Sequence, residues 1–149
     1  MDVDALIAKA RENFDKVEPV DQEVLLGDDV VTVRFWPVMG TEWTELTTRN
    51  PPRKGSVRDQ NMGYNADGIV REYPKVFLVQ GDDVVNVGEL APTPDNPLHR
   101  KWDDVVAALS GPDLHHLAIA VWGLNDYDPQ KRLKTAGKAS AGGRKKKPA

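Results

Sequence analysis

Apolar residues near the start of the chain recur at helical spacing. Val3, Leu6, Ile7, Ala10 and Phe14 share one face, which predicts an amphipathic helix over residues 2 to about 15. Asp2 and Asp4 suit the positive end of its dipole, and Glu18-Pro19 ends it. The period then changes to alternation. Two β-rich runs, 23–26 and 30–36, flank Gly27-Asp28-Asp29, a hairpin signal. Val31, Val33 and Phe35 alternate with Val30, Thr32 and Arg34, which predicts a sheet with one wetter face. Thr41 is placed to cap a short helix carrying Trp43, Leu46 and Thr47, stopped by Asn50-Pro51-Pro52. Residues 53–63 are polar and read as an exposed loop. Asn65 is placed to cap a helix beginning at Ala66, with Ile69, Val70 and Tyr73 facing inward and Pro74 disturbing its end.

Residues 77–87 allow two readings. Gly81-Asp82-Asp83-Val84-Val85 echoes Gly27-Asp28-Asp29-Val30-Val31, which suggests a second hairpin. A helix through Val79 followed by a loop is the alternative. The Pro-rich segment 91–97 reads as a stiff linker. Leu98, Trp102, Val105, Val106 and Leu109 then share one helical face. After Ser110-Gly111, Pro112 and Asp113 open another helix, with Leu114, Leu117, Ala118, Val121 and Leu124 on its face. The short break makes these two an antiparallel pair. The pattern as a whole predicts an α+β, mainly helical protein: an N-terminal helix, a β-hairpin, then a helical bundle.

Charge divides the chain. The formal net charge of the 149 residues is −3, but residues 129–149 hold eight basic side chains and no acid. Residues 1–128 therefore carry 12 basic and 23 acidic side chains, a balance of −11. We expect one acidic globular domain over 1–128 and a disordered basic tail over 129–149, whose small and basic residues cannot bury a core. An acidic body repels nucleic acid, and no aromatic side chain interleaves the tail's lysines for base stacking. No apolar run approaches the roughly 18–20 residues of a membrane span, and the start of the chain lacks a signal-peptide core. A soluble, cytoplasmic protein is expected.

Chemistry is scarce. The absence of cysteine removes disulfides, thiol catalysis and Cys-based metal sites. His115 and His116 are adjacent, so on a helix they diverge by about 100° and chelate one metal poorly. Asp28-Asp29, Asp82-Asp83 and Asp103-Asp104 are acid pairs without a third ligand. There is no phosphate loop, GxSxG or HExxH motif. No catalytic residue, cofactor or metal is assigned, and the chain does not read as an enzyme. Trp36, Trp43, Trp102 and Trp122 stand out more. Core packing is the ordinary fate of such residues, but tryptophan is also enriched in binding hot spots. Trp122 falls beside the Leu114–Leu117–Val121–Leu124 stripe and is the tryptophan freest to face a partner.

The order of landmarks is informative. Trp43-Thr44-Glu45-Leu46, then Asn50-Pro51-Pro52, a polar loop, and Gly63-Tyr64-Asn65 opening a helix resemble the tail assembly chaperones of siphophages that infect actinobacteria. The resemblance continues with Trp102 after a Pro-rich break and with Leu114, Ala118 and Leu124-Asn125 in a final helix, and covers about residues 30–126. The family's middle helix runs on through an Ala-rich stretch that Pro74 and Gly81-Asp82-Asp83 interrupt here.

The resemblance implies a chaperone that binds the tape measure protein, keeps it soluble and promotes tail tube polymerisation. It would act in the host bacterial cytoplasm and be absent from the mature virion. The tape measure protein is long, helical and apolar on much of its surface, so a coat of weak, numerous contacts would keep it from aggregating. Trp43, Leu117, Val121 and Trp122 are the candidate partner-binding residues. The family is commonly made in two lengths by ribosomal frameshifting, and Lys145-Lys146-Lys147 fits an A-rich slippery run. The longer product would meet the tail tube protein or the tape measure protein, and self-association is a further expected contact; nucleic acid and membrane are not expected partners. The competing reading is a structural virion component, such as a head–tail connector or tail terminator.

Overall fold

A computed structural model describes the backbone of residues 1–145 and the side chains of residues 1–138. The chain runs α1 (Val3–Asp15), β1 (Val20–Leu26), β2 (Asp29–Phe35), α2 (Gly40–Arg49), α3 (Val57–Met62), α4 (Ala66–Glu72), β3 (Val76–Gln80), β4 (Asp83–Asn86), α5 (Lys101–Ala108), α6 (Gly111–Trp122), a π-helical turn (Gly123–Tyr127) and α7 (Asp128–Lys145). The architecture is α+β and mainly helical.

The four strands form one antiparallel sheet in the order β1-β2-β3-β4. Both hairpins close through two residues, Gly27-Asp28 between the paired Leu26 and Asp29, and Gly81-Asp82 between Gln80 and Asp83. Gly27 and Gly81 sit at φ 64° and 59°, while among the described residues no non-glycine residue has positive φ. Positive φ at the first turn residue alone is the II′ arrangement, which matches the strands' twist and favours glycine there. The repeated Gly-Asp-Asp-Val-Val therefore marks two hairpins, and the helical alternative for 77–87 falls.

Alternation sorts the sheet's faces. Val24, Val33, Phe35 and Val76 point inward and are buried, while Asp21 and Arg34 form a bidentate pair on the other face. Helices cover the inner face: Leu46 from α2, Ala66, Ile69 and Val70 from α4, Trp102, Val105 and Val106 from α5, and Leu117, Ala118 and Val121 from α6. Trp102 is fully buried, meets Phe35 edge-on at 6.0 Å, and donates Nε1–H to the Val70 carbonyl at 2.8 Å. The helices thus pack on one another, with α4 against α6 the main seam, and reach the sheet chiefly through α6, which lies against β1 and β2.

Local signals explain most starts. Asn65 accepts from Gly68 N–H at 3.2 Å and Ser110 from Asp113 N–H at 3.3 Å, as N-caps do. Asp113 turns instead to β1, where its carboxylate accepts from Leu25 N–H at 3.1 Å. Thr41 does not cap α2: the helix begins at Gly40, with Met39 at the cap position two residues before Thr41. The expected loop over 53–63 contains α3, capped by Ser56, which accepts from Asp59 N–H. Leu98 stands before α5 and is exposed rather than on its inner face. The expected unstructured tail from 129 is helical through Lys145. Gln, Lys, Arg, Leu and Ala favour helix over its first half, while Gly137, Gly142 and Gly143 oppose it, so local propensity does not account for the second half. Residues 131–138 are exposed throughout, so this segment adds nothing to the core. Lys146 and Lys147 lie outside the described residues.

Candidate functional site

α1 buries none of its thirteen residues. Its stripe stays open: Val3 is 56% exposed, Leu6 58% and Ile7 45%. Only its C-terminal end is seated. Phe14 and Val17 are partly buried, and the Lys75 ammonium lies 5.5 Å from the Phe14 ring centre. An apolar helical face without a covering layer is unusual, since packing of that face normally provides most of a helix's stability.

A groove of about 470 Å³ lies beside α1. Ile7, Ala10 and Phe14 form one wall, Val38, Met39 and Trp43 the second, and Leu124, Pro129 and Arg132 the third. A second hollow of about 420 Å³ lies on the other side of Phe14, between Trp36, Pro37, Lys75 and Phe77. Met39 is 43% exposed and Trp36 38%. Together with α1 they make an extended apolar surface at one end of the sheet.

A hydrogen-bonded frame holds the groove's walls. Asn125, in the π-helical turn, accepts from Val38 N–H at 3.1 Å and donates to the Tyr73 hydroxyl at 2.9 Å. Tyr73 in turn donates to the Trp36 carbonyl at 2.6 Å. Next along the turn, Asp126 accepts from the Tyr64 hydroxyl at 2.6 Å, and Tyr64 carries Trp43 edge-on at 5.5 Å. Burial pushes both phenols up, with the Asp126 charge adding to the effect at Tyr64, so both remain donors near neutral pH. Asn125 and Asp126 are adjacent on a helical turn and so point to different partners, and the turn is π-helical, a local distortion common where a helix serves a site.

The candidate contact residues separate. Trp43 lines the groove. Leu117 and Val121 do not belong to a contact surface: both are fully buried in the core beneath the sheet. Their periodic face was legible, but periodicity does not say whether a sheet or a partner covers it. Trp122 is partly buried and packs on Tyr127 at 5.0 Å, away from the groove lining. Lys145 is the last residue whose backbone is described, and its side chain lies outside the described ones. The residues missed are Val3, Leu6 and Ile7, placed on a helical face but not named as contacts, and Trp36. Alternation already placed Trp36 opposite the inward Phe35.

A second cluster is ionic. Asp59 is fully buried and accepts from Arg53 through N–H (2.9 Å), Nε (2.8 Å) and Nη2 (3.1 Å). Asp67 accepts from Arg53 at 2.8 Å and Arg58 at 2.6 Å, and Arg58 also meets His115 Nδ1 at 2.7 Å. Hydrogen bonds from Arg53 hold the Asp59 carboxyl far below the usual range; at Asp67 burial opposes, but the bonds from Arg58 and Arg53 prevail and lower it too. Asp59 and Asp67 are both paired, which suits a brace for the 53–67 segment. The landmarks of the family resemblance meet nearby: the Asn50 carbonyl accepts from Asn65 N–H at 2.8 Å. Among the described residues no group of three His, Asp or Glu side chains gathers as metal ligands, and no helix is long and apolar enough to cross a membrane.

Comparison of the chain with protein-family models, curated proteins and solved structures finds no match.

Proposed function

We propose that this chain is a tail assembly chaperone of the siphophage type, which binds the helical tape measure protein, keeps it soluble and promotes tail tube polymerisation around it. The observation that carries the reading is the open α1 stripe running into the Trp43 groove. Such a surface offers temporary burial to apolar helices that lack their final partners. The ordered landmarks from Trp43 to Asn125 support the family, and the acidic balance of residues 1–128 suits a coat whose copies must stay apart. In this reading it acts in the host cytoplasm and is left out of the finished virion. A longer product, made by slippage near Lys145-Lys146-Lys147, reaches the tail tube protein. Sequencing the gene tests that part: it requires a slippery heptamer around codons 144–147.

Co-expression with the long helical protein encoded downstream tests the main claim. The partner should stay soluble and co-purify with this chain, and precipitate without it. A partner indifferent to this chain, with the chain recovered from purified virions, would instead support a connector or terminator.

A further inference from the structure

The groove has a charge character opposite to the body that carries it. Residues 1–128 balance at −11, yet among the described residues the charged side chains lining the groove are Arg11 and Arg132. They come from different elements, one from α1 and one from α7. Neither guanidinium enters an ion pair among the described residues. In the adjoining hollow Lys16, Lys131 and Arg132 outnumber Glu18 and Asp128. The basic segment that composition sets apart thus begins as a wall of this site.

The apolar wall that α1 gives the groove, from Ile7 to Phe14, spans about 10 Å at 1.5 Å per residue, and the open stripe continues beyond the groove through Leu6 and Val3 to about 16 Å in all, or three helical turns. Its residues, at spacings of three and four, form the seam that packs against another helix. A compact small molecule would leave most of that length open. Arginine is suited to both tasks at the rim, since its stem covers apolar surface while its planar fork binds carboxylates.

We propose that the groove takes an amphipathic helix of another protein whose apolar stripe is bordered on both sides by aspartate or glutamate, one border meeting Arg11 and the other Arg132. This rests on the groove being the docking face proposed above, and adds the chemistry of what docks.

The test uses the full chain and three synthetic helical peptides: an apolar stripe bordered by Glu, the same stripe bordered by Lys, and the Glu-bordered peptide with its stripe changed to Ser. Binding is read by fluorescence anisotropy at low and high salt. The Glu-bordered peptide should bind about tenfold more tightly than the Lys-bordered one, the gap narrowing in salt, and the Ser peptide should not bind. The double variant Arg11→Glu/Arg132→Glu, changed at two exposed positions, should melt as the wild type does and invert the preference. Equal binding of both striped peptides, unchanged in the double variant, overturns the charge assignment and leaves the docking face standing. Failure of every peptide to bind removes the docking face as well. α1 itself carries Asp2, Asp4, Glu12 and Asp15, so a second copy is the rival occupant. A chain that dimerises, ignores the peptides and becomes monomeric on Leu6→Glu/Ile7→Glu would overturn the proposal in its favour.

Discussion

The double variant Leu6→Glu/Ile7→Glu should leave folding intact and remove partner binding. Leu6 is 58% and Ile7 45% exposed, and α1 buries no residue. Exposed substitutions of this kind stay within about 0.5 kcal/mol each. Glutamate is as good a helix former as leucine, and acids near a helix start favour its dipole. The melting temperature should therefore move by no more than about 2–4 °C. Binding is another matter. Fully burying such a side chain contributes about 1.5–3 kcal/mol, so covering the open half of two contributes about 1.5–3 kcal/mol in total. Losing it weakens the complex roughly 10- to 100-fold, before the cost of desolvating two carboxylates is added. Thermal melting by circular dichroism, beside titration of the partner or of the Glu-bordered peptide, reads both quantities. A large drop in melting temperature would show that α1 packs on the body in solution. Unchanged melting with unchanged affinity would remove α1 from the docking face.

The core should respond in the opposite sense. Leu117→Ala should cost about 2–5 kcal/mol, seen as a lower midpoint in urea, because the side chain is fully buried and has no contact role. Asn125→Ala should cost about 1–3 kcal/mol by leaving the Val38 N–H unpaired, and should also weaken partner binding, since Val38 lines the groove. Asp59→Ala should fall toward the lower end of the roughly 3–5 kcal/mol that follows removal of one partner of a buried pair, because Arg53 is 48% exposed and reaches water. Acid should act through the same residue. Its carboxyl is held down in the folded state, so the stabilisation is present above the unfolded value of about 3.9 and is lost as pH falls below it. Melting curves across that range should show a steeper acid loss in the wild type than in Asp59→Ala.

Local signals carried far in this chain. The spacing of Val3 to Phe14 defined α1, Asn65 and Ser110 marked two helix starts, and the Gly-Asp-Asp turns marked hairpins. The second turn stayed ambiguous because a five-residue echo beside an apolar run fits a short buried helix as well as a strand. α3 was hidden because Ser56-x-x-Asp59, a capping signature, sits among polar residues that read as loop. The α7 segment misled in a different way: composition reports that it buries no core, not whether its backbone is helical. The site was the least legible part. Periodicity gives a helix its apolar face but not the layer that covers it. Leu117 and Val121 therefore looked as available as Leu6 and Ile7, although the sheet covers the first pair and nothing described covers the second.

Hydrogen exchange of the chain, free and with its helical partner, tests the central claim most directly. An unpacked helix of thirteen residues is marginal alone, so the α1 amides should exchange fast in the free chain. On binding, they and the amides around Met39 and Trp43 should slow markedly, while the core of α4 and α6 stays unchanged. Protection confined to another surface, such as the exposed edge strand β4, with α1 exchanging as before, would contradict the account.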